Sequence, residues 1–316
     1  MTLPPIILAR ELARLGMDRW LRNELARGAV HRVIRGAYVR AADFEQLDAD
    51  ERYRLIVSAT AQVLPETQFS RESAAALWRL PTFGRWPTDV HATVARSTGG
   101  RSGSLVQRHG FGLDPLAAEI DGVIVTSLAR TLAEVACGPS FVRAVVMLDD
   151  GLRTPSEGDF REGQAKVSKE RVLDEIEKLV GLPGRRRGRE ALDFADGRAG
   201  SPGESVSRVQ FRALGLPIPE LQVPFYDRRG LIGVTDYYWP DLGLAGEFDG
   251  DSKYGDGRRF GKELSPQQIV IDEKKREDRL RAVVSDVVRW DWAVALNRRE
   301  LAALLSSHGL RPAGRK

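Results

Sequence analysis

The 316-residue chain holds one cysteine, Cys137. That excludes an intramolecular disulfide and any zinc site built on several cysteines, and it suits a reducing compartment. A buried structural thiol is the expected role. Of only four histidines, His91 and His109 have no acidic cluster beside them in sequence and are expected to be structural. No run of apolar residues approaches the roughly 18 that a membrane span needs. The N-terminus, MTLPPIILARELARLG, carries a short apolar run with no preceding basic segment and no small-residue cleavage site, so it does not read as a signal peptide. The expectation is a cytoplasmic protein with no membrane partner.

What is present is an ordinary globular composition, 42% hydrophobic and 29% charged, with no long polar tract. The length suits two domains or three small ones. A net charge of +4 and a pI near 9.3 are compatible with a nucleic-acid partner, a signal that carries little weight alone.

Near the start, Ile7–Leu15 reads as a short helix, Gly16-Met17-Asp18 as a turn, and Arg19–Arg27 as a second helix capped by Asp18 and stopped by Gly28. The stretch AVHRVIRGAYVR then alternates apolar Val30, Val33 and Val39 with basic residues around Gly36, as a two-stranded wing would. A winged helix-turn-helix is expected over residues 1–50. In that arrangement the second helix enters the major groove and wing arginines meet phosphates. Arg19, Arg22, Asn23, Arg27, Arg32 and Arg35 are the candidate contacts. A small helical packing module with solvated arginines would share the same pattern.

Residues 51–153 alternate helical stretches (Arg52–Leu64, Arg71–Leu80, Ser127–Cys137, Ser140–Asp150) with strand-like ones (Asp89–Val94, Gly122–Val125). The expectation is an α/β region without catalytic spacing. Residues 154–199 read as a linker: Thr154–Gly163 and Leu182–Gly188 as loops, Lys169–Val180 as a helix between them. The run Arg185, Arg186, Arg187 is either a solvated loop or a phosphate contact at the entrance of the next domain.

Chemistry concentrates in GVTDYYWPDLGLAGEFDG, where two apolar runs flank Pro240-Asp241-Leu242-Gly243, a turn sequence. A hairpin with that loop pairs Trp239 with Leu244, sets Asp236 across from Glu247, and leaves Asp249 on the same face. Opposed carboxylates repel, so the pattern becomes favourable with a divalent cation between them. Asp236, Glu247 and Asp249 are thus candidate ligands of Mg²⁺ or Mn²⁺. Phe248 points the other way, into the core. Upstream, Ser201-Pro202-Gly203-Glu204 opens a helix with Ser201 as N-cap, Pro202 in the first turn and Glu204 in the capping-box position. Glu204 is either a capping residue or a further acid of the site. Downstream, Ile271–Val284 reads as a charged helix and Asp286–Ala295 as a strand, with one or two of Lys274, Lys275, Arg276 and Arg279 available to a scissile phosphate.

Through SPGESVSR, GLPIPELQ, TDYYWPDLGLAGEFDG and VVRWDW, the span Gly200–Ala295 resembles the Vsr-like endonuclease fold of PD-(D/E)xK type. Through GMDRWLRNELARGAVHRVIRGAYV the N-terminal region resembles the AbiEi-type antitoxin winged helix of type IV toxin–antitoxin systems. SRESAAALWRLP and DGVIVTSLARTLAEVA extend that likeness into the middle, and together they resemble an actinobacterial class joining the two modules. The resemblance implies α/β architecture with a mixed sheet flanked by helices over residues 200–316. It also implies Asp236, Glu247 and Asp249 as the acidic site, with Glu204 as its helical companion. Two departures stand out. Asp249 occupies the position where the motif has lysine, which leaves Lys253 as the nearest basic partner in sequence. The insert Gly255–Pro266 separates the site from its following helix.

The expected function is metal-dependent hydrolysis of phosphodiesters, with duplex DNA as the partner and Lys253 orienting the attacking water. The rival is a non-catalytic DNA-binding regulator, an antitoxin-like repressor with a degenerate nuclease fold. A toxin partner and a homodimer stay open.

Overall fold

The computed structural model describes residues 3–98, 105–155, 161, 166–250, 258–259, 262–263 and 266–312. The chain is mixed α/β and divides into two units, Met1–Ala195 and Asp196–Lys316.

The first unit opens with β1 (Ile7–Leu8), α1 (Ala9–Arg14), α2 (Asp18–Ala26), β2 (Val30–Ile34) and β3 (Ala37–Arg40). β3 pairs antiparallel with both other strands, giving the order β1-β3-β2. The expected first helix therefore starts two residues late, because Ile7 and Leu8 pair with Tyr38 and Ala37. Asp18 is the first helical residue and Met17 the cap, with no side-chain cap bond. The Asp18 charge still faces the positive end of the helix dipole. α3 (Ala41–Glu45) and α4 (Ala49–Val63) follow, the latter opened by a reciprocal capping box between Asp48 and Glu51. Leu8, Ile34, Ala37 and Ala59 form one small core here, and Val39, Leu47 and Leu55 a second.

Next come β4 (Gln68–Phe69), α5 (Arg71–Leu77), β5 (Val90–Thr93), β6 (Val106–His109), β7 (Ala118–Ile120), β8 (Val123–Val125), α6 (Leu128–Ala136) and α7 (Phe141–Leu152). The five strands form one mixed sheet in the order β6-β5-β4-β8-β7. β4, β6 and β7 were not expected. Strands of two to four residues are too short to show an alternation.

α8 (Lys169–Lys178) and α9 (Arg185–Phe194) complete the unit. α9 corrects the reading of Leu182–Gly188 as a loop. Gly184 takes φ +87°, where an added Cβ would stand 2.1 Å from the Cys137 carbonyl oxygen, and a Cβ on Gly188 would meet Cys137 Sγ at 2.8 Å. Both glycines serve close packing, and the helix starts between them. Cys137 is buried, and burial pushes its thiol up to about 11.

The second unit is built from α10 (Pro202–Ala213), β9 (Glu220–Asp227), β10 (Gly230–Trp239), β11 (Leu244–Phe248), β12 (Arg258–Arg259), β13 (Lys262–Glu263), α11 (Pro266–Arg281), β14 (Asp286–Trp290), α12 (Trp292–Leu296) and α13 (Arg298–Ser307). Its main sheet runs β14-β11-β10-β9, with β11 parallel to β14 and the other pairs antiparallel. The expected last strand stops at Trp290, because the Asp291 side chain accepts from the Val294 backbone N–H at 3.1 Å and caps α12. On one sheet face Phe211, Tyr237, Trp239 and Trp290 pack in edge-on and stacked pairs 5.2–6.1 Å apart. On the other, Ile232, Ala245 and Val287 bury Leu280 and Val284. No helix among the described residues is long and apolar enough to cross a membrane.

Candidate functional site

In the second unit the expected hairpin register holds. Trp239 faces Leu244 and Tyr237 faces Gly246, which makes Asp236 and Glu247 the next positions in line. Asp236 Oδ2 accepts from the Phe248 backbone N–H at 2.8 Å, so this carboxylate serves the end of β11 directly. Phe248 is buried and points to the α10 side, as expected. A Cβ on Gly203 would lie 2.0 Å from Phe248 Cε1. The glycine of the SPGES sequence lets α10 approach that closely.

α10 brings Glu204 to the site. Ser201 is its N-cap and Pro202 opens the first turn. Glu204, 6% exposed, accepts from the Gly200 N–H at 2.7 Å, from Ser201 Oγ at 2.9 Å and from Gln222 Nε2 at 3.0 Å. The capping role and the approach to the acidic site coexist, because a carboxylate has acceptor positions to spare.

Gln222 is the residue that sequence reasoning missed. Its Nε2 also lies 3.5 Å from Asp236 Oδ1, so one amide stands between two carboxylates. Its backbone holds φ +52° within β9, a conformation that a non-glycine residue adopts at a cost and that clusters at functional positions. The only sequence signal was its place in GLPIPELQ.

Glu247, 5% exposed, is held by two guanidinium groups. Arg276 Nη2 donates to its two oxygens at 2.8 and 2.9 Å, and Arg289 Nη2 lies 2.7 Å from Oε2. The same two arginines bind Glu273, at 2.7 and 2.8 Å. Hydrogen bonds from Arg276, then Arg289, hold the Glu273 carboxyl down at about 2 against its partial burial. Asp249 anchors its backbone N–H on the Trp290 carbonyl at 2.8 Å.

The structure thus links Glu204 to Asp236 through Gln222 and turns Glu247 toward arginines. Among the described residues, no three His, Cys, Asp or Glu side chains gather closely enough to hold a metal ion. The expected set of Asp236, Glu247 and Asp249 does not fit a resident Mg²⁺ or Mn²⁺ as it stands, since cations already occupy Glu247. The carboxylate repulsion inferred from the register is relieved by Arg276 and Arg289. Lys253 lies outside the described residues, as does most of the insert. Of the other basic candidates, Arg279 pairs with Asp227 at 2.7 Å and Lys275 stands 3.9 Å from Asp272.

The first unit presents a different surface. Arg19, Arg22, Asn23, Arg32 and Arg35 are exposed on α2 and the β2–β3 hairpin. Arg27, also exposed, reaches Glu24 at 3.3 Å. Arg185, Arg186 and Arg187 open α9 instead of forming a free basic loop. Arg185 donates to the Ile176 carbonyl at 3.0 Å and pairs with Glu177, and Arg186 pairs with Glu190 at 3.1 Å. Arg187 is exposed.

His91 and His109, far apart in sequence, meet on adjacent strands with Nδ1 and Nε2 3.0 Å apart. Burial, then the charge of Arg71, holds His109 down at about 3, and burial lowers His91 too. The two rings meet in a partly buried contact that favours their neutral forms.

No protein-family model matches the chain. It is similar to two uncharacterized proteins from two strains of Mycobacterium tuberculosis. Each is 33% identical over 175 residues, covering 50% of this chain and 59% of the relative. The chain therefore spans a little under two thirds of the length of these relatives. A solved structure, that of the RV2827C protein from Mycobacterium tuberculosis, aligns with 71% of this chain and 84% of its own at 15% identity and a TM-score of 0.37.

Proposed function

We propose that this chain is a nucleic-acid-binding protein of the regulator type. Its N-terminal winged helix-turn-helix docks on duplex DNA, and its second unit is a restriction-endonuclease-like frame with no resident metal. One observation carries the reading: Arg19, Arg22, Arg32 and Arg35 are exposed, and no carboxylate pairs with them among the described residues. Unpaired guanidinium groups on a helix and an adjoining hairpin suit phosphate oxygens. The β1-α1-α2-β2-β3 order, with β1 holding the hairpin through β3, supports the winged reading. In the second unit, a helix, three antiparallel strands, a helix and a parallel strand support the nuclease-like reading.

The clamp of Arg276 and Arg289 on Glu247 favours a non-catalytic role for that unit. A second reading, phosphodiester hydrolysis dependent on Mg²⁺ or Mn²⁺, is favoured by Gln222, whose left-handed backbone places one amide between Glu204 and Asp236.

One experiment separates the two. Purified protein is titrated with labelled duplex across a salt series and is also incubated with supercoiled plasmid in Mg²⁺, Mn²⁺ or EDTA. An Asp236→Ala/Glu247→Ala variant runs alongside. The regulator binds duplex with a steep salt dependence, leaves the plasmid intact in every buffer, and keeps its affinity in the variant. Metal-dependent nicking that the variant loses establishes the enzyme. Absence of binding to any nucleic acid ends both readings.

A further inference from the structure

Glu247 sits at the crossing of three elements: its own strand β11, the parallel strand β14 that carries Arg289, and the helix α11 that carries Arg276. The charges alternate around it. Arg276 Nη2 touches both Glu247 and Glu273, and Arg289 Nη2 does the same from the neighbouring strand. β10 leaves room for this arrangement. A Cβ on Gly233 would come 3.1 Å from Arg276 Nη1, so any side chain there crowds the guanidinium.

We propose that Arg276 and Arg289 are the resident cations of Glu247. They supply from within the chain the positive charge that the sequence pattern led us to expect from a divalent ion, and they turn Glu247 into a staple that ties α11 and β14 to β11. Physical chemistry favours this assignment. Glu247 is almost fully buried, and a carboxylate taken out of water needs an opposite charge and well-aligned donors beside it. It has both without a metal. An incoming divalent ion would have to displace charge-assisted hydrogen bonds and then share the space with two guanidinium groups of its own sign. The acid at position 249 in place of a lysine is consistent with it, because the basic partner of the cluster comes from α11 and β14. The inference goes beyond the proposed function, since it holds whether or not the chain binds DNA.

The test uses the full chain without nucleic acid. Thermal midpoints are recorded in Mg²⁺, Mn²⁺ and EDTA for the wild type, Glu247→Gln, Arg276→Gln and the double variant, and Mn²⁺ uptake is followed by the loss of its free-ion EPR signal. The expected result is a wild-type midpoint that does not respond to metal and a Mn²⁺ uptake that Glu247→Gln leaves unchanged. Each single variant lowers the midpoint by several degrees, and the double variant lowers it by clearly less than the sum, because each single change strands the other's charge. A wild-type midpoint that rises with Mn²⁺ and loses the rise in Glu247→Gln overturns the proposal, as do strictly additive variants. Should Arg276→Gln fail to fold, the Mn²⁺ comparison between wild type and Glu247→Gln decides the matter by itself.

Discussion

The arginines of this protein live in two different electrostatic worlds. On α2 and the following hairpin, Arg19, Arg22, Arg32 and Arg35 stand exposed without acidic partners among the described residues. On α9, α11 and β14, Arg185, Arg189, Arg276, Arg279 and Arg289 are each matched to a carboxylate. The second group does structural work that leaves little charge to offer a ligand. The first group stands outside the packed core: all four side chains are exposed, and α2 buries only Leu21. Composition counts all these residues alike, and only the placement of acids separates exposed, unmatched arginines from those built into a frame.

Arg276→Ala should give the largest effect. It removes one of two partners from a buried carboxylate, and breaking such a pair costs about 3 kcal/mol, at the low end because Arg289 remains. Urea or thermal unfolding of the full chain checks this, with duplex affinity unchanged. If the stability holds and DNA binding falls, the division between the two groups of arginines is wrong. The mirror change, Arg19→Ala with Arg22→Ala, should weaken duplex binding by about tenfold, close to 1.4 kcal/mol, and reduce the slope of log K against log salt by about 2. Its melting curve should match the wild type. An unchanged salt slope would remove the two residues from the interface.

Much of the frame was legible because its causes are local. Ser201, Pro202 and Glu204 announce a helix start, and Pro240 to Gly243 fix a hairpin whose register follows by counting. The site was legible only to the level of register. Counting residues placed Asp236 opposite Glu247 but could not reveal that Arg276 and Arg289, 29 and 42 positions beyond Glu247, converge on it. Gln222 was hidden for another reason: its role depends on a backbone angle that no residue type signals except glycine. At Leu182–Gly188 the error ran the other way. Gly184 and Gly188 were read as loop residues, whereas both sit in close contact with Cys137.

The α9 arginines test the boundary between the two groups. Arg185 caps the Ile176 carbonyl near the end of α8, where a cation meets the negative end of the helix dipole. Arg185→Ala should therefore cost about 1 kcal/mol of stability and leave duplex affinity where it was. A loss of binding without a loss of stability would return the Arg185–Arg187 run to the interface.

The last effect is one of slope, and it compares the two units through acid. In the first unit, burial and the neighbouring Arg71 hold His109 at about 3, well below the ordinary histidine value of 6.5. A depressed pKa means that the unfolded chain binds the proton first. The contribution is complete above pH 6.5 and drains away as the pH falls toward 3. In the second unit, Glu273 sits at about 2 instead of 4.5, chiefly through Arg276 and Arg289. Its contribution is intact above pH 4.5 and is lost only as the pH falls toward 2. Between pH 6.5 and 4.5 the histidine pair should therefore erode the first unit while the Glu273 ion pairs leave the second untouched. Hydrogen exchange across that interval checks this by unit: protection of β5 and β6 should fall, and that of β11 and β14 should persist. His109→Gln, which leaves His91 as the titrating member of the pair, should lessen the first unit's response. If the variant keeps the full slope, His109 is not the group that titrates there.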